Sequence, residues 1–468
     1  MSKEAVGYYH QLLESSCGDL IEQTRASLWE RLHELRFVFG GRLLSPYLRP
    51  HFISGEQFEM VSSVCRRLWS PILKVADRAL EDSALLDYLG LTEAERRLIA
   101  IDPKFQGASR TSRLDSFSTE TSLQFVELNA ESPAGIAYAD VATEIFAGLE
   151  VMARFAERYR IRSLPGREKL LEVLLAAYRE FNGSGKRPQI AIVDYSGLPT
   201  QREFELFQEY FESQGYRTII ADPRELEFSG GRLRKGDFQI DLIYKRLLVN
   251  EFLEKLDECR ALLEAYEAQA VCLVNSFRGK LVHKKLLFGV LTDERFGHLF
   301  SQEERELIAH HIPWTRRLEP RRTLYNNLEI DLLEFTRSNR ERLVLKPNDE
   351  YGGKGIFIGW NCDEAEWARA IEAGLESDYL VQERVTTARE VFPYISSDGR
   401  VDFVEQLVDL DPLLFDGRVG SAFTRLSTSE LANVSAGGGM VPVFVIVNNV
   451  RRPTSVTSER PTSDVRRP

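Results

Sequence analysis

Apolar residues recur at helical spacing through about the first hundred residues of the chain. In the segments 28–35 and 58–68 the apolar side chains are three, four or seven positions apart. This spacing places them on one face of a helix. Residues 1–110 are therefore predicted to form an N-terminal helical region with a structural role.

The pattern changes near residue 186, where short apolar runs begin to alternate with amphipathic segments. Strands that alternate with helices indicate a parallel sheet covered on both faces. Residues 166–283 are therefore predicted to form a Rossmann-like α/β domain. The predicted strands are QIAIVDY (189–195), RTIIAD (217–222), IDLIYKR (240–246) and VCLVNS (271–276), the helices are 201–215 and 251–269, and LEFSGGRLR (226–234) is a hairpin.

Polar residues follow several of these strands directly. Ligands of parallel sheets gather at the carboxyl ends of the strands, so these residues are candidates for a binding site. The same residues could instead cap helices, and the sequence leaves both interpretations open. They are Asp194, Tyr195, Lys245, Arg246 and Asn275.

The last third of the chain centres on LVLKPNDEYGGKGIFIGW (343–360), which reads as strand, glycine-rich loop and strand. A helix over 330–343 precedes it, and a helix over 363–377 and a strand over 378–385 follow. The stretches SSDGR and LFDGRVG indicate hairpins. The tail 451–468 is rich in Pro, Ser, Thr and Arg, so we expect it to be disordered.

The overall composition argues against some classes of function. The net charge of −11 argues against general nucleic-acid binding, which needs a basic surface. The N-terminus lacks the apolar core of a signal peptide, and the run MVPVFVIV (440–447) is too short to cross a bilayer. The five cysteines have no metal-ligand spacing. We therefore expect a cytoplasmic protein with reduced thiols and no membrane partner, and nothing supports a particular oligomer.

The loop in 343–360 has two interpretations. It is neither a Walker A loop nor a Rossmann fingerprint, because each requires a helix directly after the glycines. It could be a hairpin tip with solvated charges. It could equally close over a magnesium-bound polyphosphate, since glycines let backbone N–H groups converge on an anion. Lys346 would then supply a fixed positive charge and Lys354 a mobile one.

A second candidate site lies upstream in SLQFVELNAESPAG (122–135). Side chains two positions apart on a strand share a face, so Glu127 and Asn129 point the same way. Carboxylate and amide oxygens suit a hard cation such as magnesium. A strand end in which Asn129 caps a turn is the alternative.

Together these segments resemble the ATP-grasp ligases. In most of that family the Glu-x-Asn follows the glycine loop, whereas here it precedes the loop. This order is similar to the circularly permuted branch, which includes eukaryotic-type glutathione synthetases and bacterial proteins of unknown substrate. The resemblance implies an ATP-grasp domain over 111–165 and 284–450, with 166–283 as an inserted substrate domain.

The resemblance also implies site residues. Glu127, Asn129 and Glu350 match magnesium ligands, for two ions in all. Arg113, in Arg-x-Asp, and Arg425, in FTRLST, match arginines that hold substrate carboxylates. The residues that match the ATP site are Lys285 (or Lys284), Lys346, Gly352, Gly353, Lys354, Gly355, Gln382, Glu383 and Val385. SAGGGM (435–440) resembles a second glycine loop.

The function implied is an ATP- and magnesium-dependent ligase that joins a small carboxylate to an amine through an acylphosphate. Such chemistry needs positioning and charge neutralisation but no protein nucleophile. Tyr351 and the acidic Asn348-Asp349 pair depart from the glutathione enzymes, so the substrates stay undefined. The alternatives are a nucleotide-binding protein without ligase activity and a ligase that modifies a peptide terminus.

Overall fold

A computed structural model describes residues 2–14, 19–39, 41–183, 185–396, 398–430 and 437–449. The predicted disordered tail, residues 435 and 436 of the second glycine loop, and Cys17 lie outside these ranges. Within them the fold is mixed α/β with several separate sheets. None of the described helices has both the length and the apolar character needed to span a bilayer.

Several helices of the described residues begin at a polar side chain that caps the first turn. Ser54 and Gln57, for example, form a reciprocal capping box at the start of α3. The helices are α1 Ser2–Glu14, α2 Asp19–Glu34, α3 Gly55–Ala79, α4 Ser83–Tyr88, α5 Glu93–Ala100, α6 Ile136–Ala147, α7 Glu150–Ala156, α8 Gly166–Asn182, α9 Gln201–Ser213, α10 Val249–Glu254, α11 Arg260–Glu267, α12 Lys280–His283, α13 Leu286–Thr292, α14 Gln302–His311, α15 Leu332–Ser338 and α16 Glu364–Leu375.

The strands are β1 Val38–Phe39, β2 Arg42–Leu43, β3 His51–Ser54, β4 Thr111–Ser118, β5 Leu123–Asn129, β6 Tyr159–Arg162, β7 Ile190–Val193, β8 Thr218–Ala221, β9 Glu227–Ser229, β10 Arg232–Lys235, β11 Phe238–Ile240, β12 Leu242–Lys245, β13 Cys272–Val274, β14 Thr315–Arg317, β15 Arg322–Tyr325, β16 Leu328–Asp331, β17 Leu343–Pro347, β18 Phe357–Ile358, β19 Tyr379–Glu383, β20 Ala388–Ile395, β21 Val401–Phe415, β22 Arg418–Ser427 and β23 Gly439–Asn449.

The large sheet has the strand order β3-β23-β22-β21-β4-β5. β20 also pairs with β21, and β6 with β23. Its long strands pair as antiparallel hairpins, and the turn predicted at LFDGRVG is confirmed; Ser397 of the predicted turn SSDGR lies outside the described residues. β3 joins this sheet in parallel with β23, so the first hundred residues are not purely helical as predicted.

Two smaller sheets complete the surroundings of the site. One has the antiparallel order β14-β19-β17-β18 and carries the glycine loop between β17 and β18. The other is the predicted parallel sheet, in the order β13-β12-β7-β8. Phe204, Phe207 and Phe211 of α9 are buried in the same hydrophobic core as residues of this sheet.

Some predicted elements differ in length. The helix predicted over 251–269 is two helices, α10 and α11, separated by a 3-10 turn at Leu256–Glu258. The helix predicted over 330–343 is the shorter α15. The strand predicted over 355–360 is only β18, because the chain turns at Gly359. There the backbone packs so closely on the carbonyl of Arg340 that a Cβ would collide with it.

Candidate active site

A cavity of about 670 Å³ lies where the large sheet, the glycine-loop sheet and the parallel sheet meet. Residues from all three sheets line it, although they come from distant parts of the sequence. Of the residues that the resemblance assigns to the site, Gly355 and Lys284, the alternative to Lys285, do not line the cavity. The predicted residues that do line it are Arg113, Glu127, Asn129, Lys285, Lys346, Glu350, Gly352, Gly353, Lys354, Gln382, Glu383, Val385 and Arg425.

One face of the large sheet presents a row of charged side chains to this cavity. Glu127 and Asn129 lie two apart on β5, as predicted from the sequence. Across the ladder, Asp115 of β4 is paired with Glu127, and Arg113 with Asn129. Because residues two apart on a strand share a face, the four side chains lie side by side.

The two arginines of this row are held by carboxylates of the chain itself. Arg113 Nε donates to Asp115 Oδ1 at 2.7 Å. Arg425 Nη2 donates to Asp115 Oδ2 at 2.7 Å, to Asp409 Oδ2 at 2.6 Å and to Asp411 Oδ1 at 3.1 Å. A substrate carboxylate at either arginine would therefore compete with an aspartate that is already bound.

The sequence analysis missed Asp409 and Asp411. Burial raises the pKa of Asp409 to about 6 and also raises that of Asp411, against the opposing effect of Arg425. For Asp115 burial is outweighed by Arg113 and Arg425, and its pKa is lowered. The signal was present as DLDP (409–412), in which the acids have the same two-residue spacing as Glu-x-Asn.

Lys285 connects the Glu-x-Asn strand to the stem of the glycine loop. Its Nζ donates to the Glu350 carbonyl at 2.6 Å and lies 3.6 Å from Glu127 Oε2. Burial disfavours the Glu127 carboxylate, but Lys285 and then Lys346 outweigh it, and the pKa of Glu127 is lowered. The alternative candidate, Lys284, instead contacts Asp349 at 2.8 Å and Glu95 at 3.0 Å, and it does not line the cavity.

Lys346 is held by uncharged acceptors. Its Nζ donates to Gln382 Oε1 at 2.6 Å and to the Val126 carbonyl at 3.4 Å. Gln382 in turn donates to Thr315 Oγ1 at 3.0 Å, which fixes the orientation of its amide. Burial lowers the pKa of Lys346 to about 8. A buried ammonium group whose hydrogen-bond acceptors are uncharged is well placed to bind an anion.

The glycine loop depends on backbone angles that other residues rarely adopt. Gly352, Gly353 and Gly355 have φ values of 68°, 80° and 71°. Gly355 lies behind the cavity wall, where its carbonyl accepts a hydrogen bond from the Tyr379 hydroxyl at 3.0 Å. Lys354 is 78% exposed and lies 3.4 Å from the Glu350 carboxylate. Lys346 is therefore buried, whereas Lys354 extends into solvent.

The far end of β19 offers a surface for a flat ring. Arg384 stacks over Trp360 with its guanidinium carbon 4.0 Å from the ring centroid. Glu383 accepts a hydrogen bond from the Tyr325 hydroxyl at 2.6 Å. Neither Trp360 nor Arg384 is among the residues predicted from the sequence, because their spacing along the chain does not indicate that they stack. The apolar residues that line this end are Val344, Ile356, Ile358 and Val385.

Glu127, Asn129 and Glu350, the predicted magnesium ligands, all line the cavity. Asn129 Nδ2 donates to Asp115 Oδ1 at 3.2 Å, which orients its amide within the row. The Glu127 carboxylate and the Glu350 carbonyl both lie within 3.6 Å of Lys285 Nζ. Oxygen donors that leave positions for water and phosphate are those that magnesium prefers.

A second group of possible metal ligands is already neutralised. Ligand atoms of Glu131, His283 and Asp349 lie within 4.8 Å of one another. The ammonium of Lys280, however, lies 2.8 Å from Glu131 and 2.7 Å from Asp349. A lysine therefore occupies the place of a cation, and the group is an ion-pair network that anchors the stem of the glycine loop.

The residues predicted at the parallel sheet separate into two sets. Asp194 and Arg246 line the cavity. Asn275 is fully buried and bonds the backbone of residues 110, 111, 130 and 131. Lys245 donates to the Leu247 carbonyl, and the hydroxyl of Tyr195 donates to the Glu251 carbonyl. These three residues have structural partners.

Comparison with known proteins gives a likeness in fold. The chain matches no model of a known protein family. A glutathione synthetase-like effector from Globodera pallida, solved in its apo form, is 14% identical with a TM-score of 0.56, over 91% of this chain and 97% of the effector. The chain has a glutathione synthetase-like fold. At this identity the likeness concerns the fold alone.

The relatives found by sequence similarity are uncharacterized proteins. Uncharacterized proteins of Mycobacterium tuberculosis and Mycobacterium bovis are each 23% identical to this chain over 348 residues. The match covers 69% of this chain and 57% of the mycobacterial proteins. The chain thus spans little more than half of their length.

Proposed function

We propose that this protein is an ATP- and magnesium-dependent, ADP-forming carboxylate–amine ligase of the circularly permuted ATP-grasp type. The observation that carries the proposal is the contact of Lys285 with both Glu127 and Glu350. It joins the Glu-x-Asn strand to the glycine loop across more than two hundred residues of sequence. The glutathione synthetase-like fold supports the same assignment.

The division of the chain follows from this proposal. Residues 111–165 and 284–450 form the ATP-grasp domain, 166–283 the inserted α/β substrate domain and 1–110 the N-terminal region. The cavity lies between the first two units. Nucleotide would enter between the large sheet and the glycine-loop sheet, and the substrates would approach from the α/β side.

Each side chain then has a physical role. Lys346 and Lys285 contact the phosphates, and Glu127, Asn129 and Glu350 hold magnesium. When bound, magnesium neutralises phosphate charge and aligns the γ-phosphoryl group with the attacking carboxylate. Gly352, Gly353 and Gly355 let the loop fold over the phosphates and exclude water from the acylphosphate. The acyl phosphate then reacts with the amine, and phosphate leaves as the amide forms.

The test is an ADP-release screen with magnesium and ATP across amino acids, short peptides, polyamines and thiols. Glu127→Ala is the blank and should abolish substrate-stimulated release. Glu120→Ala, on the exposed turn of the same hairpin, is the matched control and should behave as wild type. A Glu127→Ala protein that releases ADP at the wild-type rate would overturn the proposal.

One observation favours a second candidate, a nucleotide-binding protein without ligase activity. Arg113 and Arg425, the two predicted carboxylate ligands, are held by Asp115, Asp409 and Asp411. Such a protein would bind ATP, and none of the substrates in the screen would stimulate ADP release. Nucleotide binding measured beside turnover separates the two candidates.

A further inference from the structure

The cavity continues beyond the phosphate-side lysines to the carboxyl end of the parallel sheet. β7 lies between β12 and β8 in the parallel sheet. After β7 the chain first forms β8 on one side and later forms β12 on the other side. A crevice forms at such a switch point and is the usual binding place of a parallel α/β sheet. Asp194 directly follows β7 and lines the cavity at this position.

Asp194 is a buried carboxylate with one oxygen turned to the cavity. Its side chain is only 7% exposed, and Oδ1 accepts from the Tyr195 N–H at 2.8 Å. Within the described ranges, its other oxygen has no hydrogen bond and the carboxylate forms no ion pair. Burial raises the pKa of Asp194 to about 6; the nearby Glu251 acts in the same direction, whereas Arg246 and Lys245 oppose it.

Glu251 of α10 supplies a second carboxylate to the same part of the cavity. The Tyr195 hydroxyl donates to the Glu251 carbonyl at 3.2 Å, which ties α10 to the end of β7. Glu251 Oε1 accepts from the Tyr351 hydroxyl at 3.3 Å. Tyr351 is the residue inserted between Glu350 and the glycines, so the glycine loop reaches this part of the cavity.

The one arginine at this end is already neutralised. Arg246 Nη2 lies 3.4 Å from Glu203, whose side chain is fully buried. Arg246 Nη1 also donates to the Pro133 carbonyl at 2.6 Å.

Neither Asp194 nor Glu251 has a cationic partner within 4 Å among the described residues, and the nearby ammonium of Lys245 donates to the Leu247 carbonyl. The remaining walls of this part of the cavity are largely apolar and include Leu198, Pro199 and Leu248.

We propose that this end of the cavity binds the ammonium group of a cationic amine substrate through Asp194 and Glu251. The inference rests on the ligase function proposed above and names the class of its amine. Apolar walls suit the methylene chain of a diamine, a polyamine or a basic amino acid. Magnesium can also bind one or two carboxylates while it keeps several waters, so magnesium alone is one of the comparisons in the test.

The test is equilibrium binding to the full chain by titration calorimetry, first without nucleotide. The probes are putrescine, spermidine and arginine, with glycine, glutamate and magnesium alone as comparisons. At least one cationic probe should bind the wild-type protein. Its affinity for Asp194→Asn and for Glu251→Gln should be at least tenfold lower. Glu254→Gln, the same change at an exposed position of α10 outside the cavity, should bind as wild type.

The outcomes separate this inference from the ligase proposal. If no cationic probe binds, if binding is unchanged in both variants, or if only magnesium binding is lost, the inference is wrong. If Asp194-dependent amine binding occurs but no amine stimulates ADP release, the inference stands and the ligase proposal fails. If glycine or glutamate stimulates release equally in wild type and Asp194→Asn, the ligase proposal stands and the inference fails. Glu251 is partly exposed, so we expect Glu251→Gln to fold. This variant can therefore still test amine binding if Asp194→Asn unfolds.

Discussion

The charged side chains at the two ends of the cavity differ in their partners. At the glycine-loop end, Lys346 hydrogen-bonds only uncharged acceptors within the described residues, whereas Lys285 bonds a backbone carbonyl and also lies 3.6 Å from the Glu127 carboxylate. At the α/β end, Asp194 has no cationic partner within 4 Å in the described ranges, whereas Arg246 is matched by Glu203. Charges that are already paired support the structure, and charges held by neutral groups remain available to a ligand.

The largest expected effect is a loss of stability when the ion pair between Arg246 and Glu203 is broken. Arg246→Met leaves Glu203 buried without its partner, and removal of one member of a buried pair costs about 3–5 kcal/mol of unfolding free energy. Chemical denaturation measures the loss. The double variant Arg246→Met/Glu203→Gln should recover much of it, because the uncompensated charge is then gone. Equal stability of the single and double variants would contradict a structural role for the pair.

The next effect tests a charge held by neutral groups. Lys346→Met should lower ADP release by about 10²–10³-fold, the usual cost of removing one preorganised donor to a developing negative charge. The unfolding free energy should change by no more than about 1 kcal/mol, because the loss of a bond to Gln382 is offset by relief of a buried charge. An equally large loss of stability would place Lys346 among the structural charges instead.

A smaller effect on ADP release is expected when Glu127, a proposed magnesium ligand, is changed. Glu127→Gln keeps the size of the side chain and one oxygen donor but removes its charge. ADP release should fall about 10–10²-fold and should recover partly as magnesium is raised, because a carboxylate ligand has become a weaker neutral one. A magnesium titration of the rate measures this. A loss that is the same at every magnesium concentration would argue against metal binding by Glu127.

The smallest effect concerns pH. Because burial lowers the pKa of Lys346 to about 8, its ammonium is charged at pH 7 and mostly neutral at pH 9. The charged form binds phosphate, so affinity for a non-hydrolysable ATP analogue should fall about tenfold between these two values. Calorimetry at fixed ionic strength measures this dependence. Lys346→Met should lack it, and an unchanged dependence in that variant would assign the titration to another group.

The sequence predicts much of this arrangement where the pattern is local. The two-residue spacing of Glu127 and Asn129, the glycines of the loop and the alternating strands of the parallel sheet are each visible within a few positions. Their structural counterparts are β5, the positive φ angles and the order β13-β12-β7-β8.

Other features arise only from pairing between distant segments. The aspartates around Arg425 come from β4 and β21, and the register of the large sheet decides that they meet. Arg246 and Asn275 read as ligand candidates because they end strands, yet Glu203 and the backbone near residue 130 bind them. A single sequence shows the charge of a residue but not whether a partner has already neutralised it.

The most direct test of the central claim is a crystal structure with manganese and a non-hydrolysable ATP analogue. Manganese takes similar oxygen ligands to magnesium and can be located by its anomalous scattering. We expect an anomalous peak within about 2.5 Å of oxygens from Glu127, Asn129 and Glu350, with the phosphates against Lys285 and Lys346. A nucleotide bound elsewhere, or a metal coordinated away from these three residues, would contradict the account.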